Sequence, residues 1–306
     1  MNLISLIILL LIVLVGVAFL TLLERKILGY VQLRKGPNKV GFMGIFQPFR
    51  DAVKLFSKEV FKVYKSRWVL YYLCPIFIIF LILVNWFIIP FFTNIYFINY
   101  SLLVIILILT LIGYIILLIG WSSNSMYSIV GAIRAIAQTL SYEVRFIMII
   151  LVFIILRERY TLGDLVKWQK ISNILILFPL FLVFFIRVLA ELNRRPIDFV
   201  EGESELVSGF NIEYFRGGFA LIFMAEYGII IFFRYLIVFM FIGIRRTLYI
   251  YISLNLLVSL VIFIRGILPR MRYDELIYLC WKIVLPFILR YLIFIMRFKF
   301  MFILLV

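Results

Sequence analysis

Residues 191–226 read ELNRRPIDFVEGESELVSGFNIEYFRGGFALIFMAE. The chain contains 15 acidic residues, and seven of them stand here: Glu191, Asp198, Glu201, Glu203, Glu205, Glu213 and Glu226. An apolar run lies on each side, at 171–189 and at 217–243, each of a length that crosses a bilayer as a helix. Carboxylates held between such helices are costly, and ionisable groups at membrane depth mark ion or substrate paths. The remainder of the chain reads as the frame that holds this cluster.

Outward from that stretch, the 306 residues are 66% hydrophobic with a mean hydropathy of +1.18. Repeated apolar blocks of about 20 residues define an all-α, polytopic transmembrane helix bundle. The blocks are continuously apolar rather than alternating, which excludes a membrane β-barrel. Lys and Arg outnumber Asp and Glu by 31 to 15. In a membrane protein this excess sets topology and attracts anionic lipid; it does not indicate nucleic acid. Cys74 and Cys280 have no ligand-spaced partner and read as buried packing residues. With no histidine and no glycine-rich phosphate loop, no metal site and no redox cofactor is expected on this chain. The first apolar run ends in charges rather than small residues, so a spanning helix is expected there and not a cleaved signal. The abundance of Phe and Tyr (33 and 18) suggests an AT-rich, organelle-type genome.

Run length predicts about eight spans in one integral membrane domain, 1–306: 3–23, 69–91, 101–121, 129–156, 171–189, 217–243, 248–264 and 283–305. The odd-numbered connections are the basic ones. The first carries eleven Lys and Arg between Arg25 and Arg67, and the last carries Arg265, Arg270, Arg272 and Lys282. The positive-inside rule therefore puts the first loop, the acidic loop and the 265–282 loop on one inner side, with both termini facing outward.

Several local patterns refine this frame. Gly36-Pro37-Asn38 marks a turn. After it, 44–59 forms an amphipathic pattern with Ile45, Phe49, Ala52, Val53 and Phe56 on one face, an interfacial helix. It reads either as a solvated edge of the bundle or as a lid past which an apolar ligand slides. In the fourth span Arg134, Gln138, Ser141 and Arg145 share one face, while Glu143 lies opposite, beside Thr139 and Ala132. Such a helix must be buried in protein, its charges either paired structurally or forming a link in a proton path. Arg187, Glu191 and Arg195 are spaced for intrahelical ion pairs, so Glu191 reads either as a purely structural partner or as one of the cluster's functional acids. Glu226 stands well inside the sixth span, where a solvated-loop explanation fails. Arg290 interrupts the eighth span without an evident reason.

Four motifs carry a resemblance. EGESELVSGFNIEY at 201–214 is preceded by AELNRRPIDFV and followed by FALIFMAEY. LLERKILGYVQLRKGPNKVG leads to QPFRDAVKLFSKE, and AIRAIAQTLSYEV and LPRMRYDEL follow further on. Over essentially its full length the chain resembles the subunit 1 family of mitochondrial NADH:ubiquinone oxidoreductase, respiratory complex I. The resemblance implies an eight-helix core subunit of the mitochondrial inner membrane with its acidic loop on the matrix side. It also implies a ubiquinone chamber shared with peripheral-arm subunits, neighbouring membrane-arm subunits as further partners, and NADH, FMN and iron–sulfur clusters held by other subunits. Carried over by motif, the proton-coupling carboxylates would be Glu143, Glu191, Asp198, Glu201, Glu203, Glu205, Glu213 and Glu226. The quinone path would include Glu24, Arg25, Arg34, Arg195, Phe223, Arg270 and Arg272. The sequence departs from the family pattern at Arg216-Gly217-Gly218, Arg234 and Arg290. The competing readings are a self-contained cation or proton transporter, a passive membrane anchor for a redox partner, and the related membrane subunit of an ion-pumping hydrogenase.

Overall fold

The computed structural model describes residues 3–59, 64, 66–89, 98–169, 172–191, 196–198, 209–243 and 247–305. In chain order the helices are α1 (Leu3–Val31), α2 (Gln47–Ser57), α3 (Trp68–Ile88), α4 (Ser101–Ser123), α5 (Met126–Arg157) and α6 (Leu162–Trp168). There follow α7 (Asn173–Ile176), α8 (Phe178–Glu191), α9 (Arg216–Ile237), α10 (Thr247–Ile267), α11 (Tyr273–Tyr278) and α12 (Leu285–Leu305). A π-helical turn, Val238–Ile242, extends α9, and another, Leu279–Val284, joins α11 to α12. Among the described residues seven helices are long and apolar enough to cross a membrane. They match seven of the expected spans, and the all-α helix bundle stands.

The expected fifth span, 171–189, is not one continuous helix. The chain breaks at Leu177 between α7 and α8. Pro179 lacks the N–H that would continue the α7 ladder and its ring would clash one turn back, so it is tolerated only in the first turn of a new helix. The resulting α8 has 14 residues, roughly 21 Å, short of the ~30 Å hydrocarbon core.

The helices are ordered by burial. α5 and α9 form the centre, with 56% and 67% of their most apolar windows buried, against 17% for α1. Small residues bring the central helices together, as expected where lipid supplies no hydrophobic drive between helices. A Cβ on Gly120 of α4 would stand 2.3 Å from the Ala132 Cβ of α5, and one on Gly228 of α9 would stand 2.8 Å from Ile82 of α3. The α4–α5 turn is two residues long, closed by Asn124 at φ 53°, and its buried hydroxyls satisfy one another: Ser123 and Ser128 lie 2.5 Å apart.

The connections segregate to two ends. At one end the Arg67 N–H donates to the Ser122 carbonyl, Arg216 donates from Nε and Nη2 to the Phe56 carbonyl, and the Met271 N–H donates to the Pro196 carbonyl. The first loop, the edges of the acidic stretch and the 268–272 loop thus meet. At the other end the Leu162 N–H donates to Ser101 Oγ, Gln169 donates to the Phe239 and Met240 carbonyls, and Lys299 pairs with Glu158. This is the alternation that the basic loops predict.

The interfacial helix is present as α2. It has no buried residue: Phe49, Val53 and Phe56 remain exposed on its apolar face. A helix of that kind covers its face with lipid at the bilayer surface. It is tethered near its middle by Arg25–Asp51 at 2.5 Å to α1 and at its last turn by Arg216 to α9. The preceding turn needs glycine at 44, where φ is +77° and a Cβ would lie 2.2 Å from the Pro37 carbonyl oxygen.

Candidate functional site

Two clusters of charge lie against α9. The first is a small internal cavity of ≈ 20 Å³, room for about one water. Gly113 of α4, Thr139 of α5, Glu191 of α8, Phe210 and Glu226 line it. The Glu143 carboxylate of α5 is not part of the lining but stands close by, its Oε1 3.6 Å from where a Gly113 Cβ would be. Both Glu191 and Arg187 act on Glu143 by Coulomb interaction. Arg187 is almost wholly buried, with its Nη2 3.2 Å from Glu191 Oε2 and its guanidinium over the rings of Phe146 (3.7 Å) and Phe233 (4.6 Å). The structural ion pair expected for Glu191 therefore exists, and it sits at the cavity wall. An arginine stacked between two rings is partly compensated for its lost hydration, but a buried pair of this kind tolerates loss of neither partner.

The opposite face of α5 serves packing. Gln138 Nε2 donates to the Ala190 carbonyl of α8 at 2.6 Å, and Arg145 donates to the Ser141 carbonyl and lies 4.0 Å over Tyr142. Arg134 is half-buried against Tyr273, 5.8 Å from its ring centre.

The second cluster joins α1, α9 and α10. Glu24 is buried, receives a 2.5 Å hydrogen bond from the Tyr227 hydroxyl and forms an ion pair with Arg265. Phe223 packs against Tyr227 with ring centres 4.8 Å apart and planes tilted by 51°, and Arg25 on the next position of α1 reaches α2. Tyr227 is not among the residues singled out from the sequence, and Arg265 reads there only as one of the basic residues that set topology; its pairing with Glu24, 241 positions away, is a tertiary fact.

The other expected residues are placed as follows. Asp198 is buried and paired with Arg270 at 3.2 Å, so two residues singled out from distant parts of the sequence meet directly. Arg34 and Arg272 are exposed, and the Arg272 N–H donates to Glu275 at the start of α11. The Glu213 carbonyl accepts from the Tyr71 hydroxyl at 2.6 Å. Beside it, Tyr214 stacks on Tyr71 at 4.4 Å and bonds Ser122 at 2.8 Å; burial pushes its phenol up from the usual range. These contacts, with Gly209 pressed against Gly131 of α5, fix the end of the acidic stretch on the bundle. Glu201, Glu203, Glu205 and Arg195 lie outside the described residues. Arg290 is exposed on α12.

The fold and these clusters define a polytopic α-helical membrane protein with carboxylates inside its helix bundle. The chain belongs to the NADH dehydrogenase family, whose model matches residues 4–296. It is 50% identical to NADH-ubiquinone oxidoreductase chain 1 of Aedes aegypti over 297 residues, covering 96% of this chain and 95% of that protein. The chain 1 proteins of Anopheles gambiae and Lampetra fluviatilis are 49% and 46% identical, covering 99% and 92% of this chain and 97% and 91% of theirs.

Proposed function

We propose that this chain is the core membrane subunit of a proton-pumping NADH:ubiquinone oxidoreductase, seated in the mitochondrial inner membrane with its acidic loop on the matrix side. It helps enclose the ubiquinone chamber and passes the consequence of quinone reduction to protons through its carboxylates. NADH, FMN and iron–sulfur clusters belong to partner subunits of the peripheral arm, and further subunits adjoin it in the membrane.

One observation carries the coupling role. Glu226 and Tyr227 are consecutive on α9, yet they serve different clusters. Glu226 lines the cavity that Glu191 also lines, while Tyr227 holds Glu24 between α1 and α10. Consecutive helical residues point about 100° apart, so a single turn of α9 links the Glu24–Phe223 side, the proposed quinone path, to the carboxylate cavity. At an effective dielectric near 20, a unit charge about 10 Å from a carboxylate changes its energy by ~1.7 kcal/mol. That is more than tenfold in a protonation equilibrium. A charge appearing on quinone is thus large enough, at this spacing, to move protons among Glu226, Glu191 and Glu143. On this reading Asp198, Glu201, Glu203, Glu205 and Glu213 belong to the same proton-coupling series, and Arg195, Arg270, Arg272 and Arg34 serve the quinone path.

Glu226→Gln in the assembled complex tests the reading. Quinone-linked NADH oxidation and proton translocation should fall together, while NADH oxidation by a water-soluble acceptor upstream of quinone continues. Full quinone-linked activity in the variant refutes the role. Proton flux through the isolated chain in vesicles would favour a self-contained transporter instead.

A further inference from the structure

Arg234 lies in α9 on the side away from the inner loops. It is 2% exposed, and its Nε and Nη1 have no hydrogen-bond partner among the described residues. The helix ends at Gly243, nine positions on, so the Arg234 backbone stands about 13 Å inside the far end of α9. Among the described residues no acid forms an ion pair with it. Glu226, the acid on the same helix, is eight positions back, about 12 Å along the axis. At the far end Glu158 is held by Lys299, and Asp164 has Lys167 at 3.9 Å.

Arg234 lines an open cleft of ≈ 250 Å³ between α1, α9 and α10. The α1 wall includes Gly16, and the α10 wall presents Tyr251 and Asn255, one turn apart and both exposed. An asparagine on the lipid-facing side of a spanning helix, beside a buried cation, is a surface built for a polar neighbour and not for acyl chains. A phospholipid phosphate stays at headgroup level, outside the hydrocarbon core.

From this charge complementarity we infer that Arg234 forms an ion pair with the carboxylate of an Asp or Glu on a transmembrane helix of a neighbouring subunit, seated in the α1–α9–α10 cleft. The inference requires that the chain be one subunit of a larger membrane assembly, and nothing of the quinone or proton reading. The neighbour's helix closes the cleft, and its acid supplies the counter-charge that Arg234 does not find among the described residues.

The test is a structure of the intact complex from its own membrane, together with two variants followed by native-gel analysis. A carboxylate of another polypeptide within about 4 Å of the Arg234 guanidinium is the expected result. Arg234→Met should lower retention of that neighbour by roughly a hundredfold, since it leaves the acid buried and alone. Arg234→Lys, which keeps the charge, should retain it. A lipid headgroup at Arg234, a neighbouring helix without an acid there, or wild-type retention in Arg234→Met overturns the inference. None of these readouts depends on activity, so loss of the quinone reading would leave them untouched.

Discussion

Gly113→Ala probes the carboxylate cavity without altering an acid. The added Cβ would stand 3.2 Å from Thr139 Oγ1 and 3.6 Å from Glu143 Oε1, in a cavity of only ≈ 20 Å³. That space holds about one water, and a methyl group takes its place. The tight contact with Thr139 costs about 1 kcal/mol. Replacing glycine by alanine inside a helix returns about the same amount. Assembly should therefore stay near the wild-type level. A hydrogen bond to a charged group contributes about 1.5–3 kcal/mol. If a water in this cavity carries protons between Glu143 and Glu226, its loss slows that step by about 10- to 150-fold. The assay is proton translocation and quinone-linked NADH oxidation in membrane vesicles, normalised to assembled complex. Gly113→Ser should recover much of the rate, because its hydroxyl can donate and accept where the water did. Wild-type translocation in the alanine variant refutes a relay through this cavity. Equal slowing by alanine and serine refutes the part given to water.

Three further outcomes are expected. Arg187→Met should destabilise the subunit by about 3–5 kcal/mol by stranding the buried Glu191, seen as loss of assembled complex, and the double variant with Glu191→Met should recover most of that loss. Gly44→Ala should destabilise the turn before α2 by more than about 1 kcal/mol, because φ is +77° and the Pro37 carbonyl occupies the Cβ position; faster amide exchange in α2 would report it. At the far end, the hydrogen bond and charge of Lys299 hold the Glu158 carboxyl below the usual carboxylate range. With a depressed folded-state value, the link stabilises the fold above the unfolded value near ~4.3 and is lost as pH falls through the depressed one. Amide exchange in the last turn of α5 should rise across that acid window, and Lys299→Met should abolish the rise.

Much of this molecule was legible in its sequence. Whether a segment can cross a bilayer is a local property of run length and composition, so seven spans, the interfacial helix and the alternation of basic loops followed directly. The fifth span shows the limit of run length: Pro179 divides an apolar run into two helices, and hydropathy does not register a missing N–H. The Arg187–Glu191 pair was also readable, because four positions on one helix fix its geometry. What the acids face was not. Helices such as α1 are apolar nearly all round, so periodicity does not say which side meets protein. The meeting of Glu191, Glu226 and Glu143 depends on how α4, α5, α8 and α9 are rotated about their axes. The pairing of Glu24 with Arg265, and of Asp198 with Arg270, joins distant parts of the chain that no spacing rule connects. The sequence by itself determined a membrane bundle that keeps acids among apolar helices, because solvent preference acts residue by residue. The tertiary structure decided which charges pair, which share a cavity and which, like Arg234, stand buried without an ion pair among the described residues, because charge compensation depends on distances between helices.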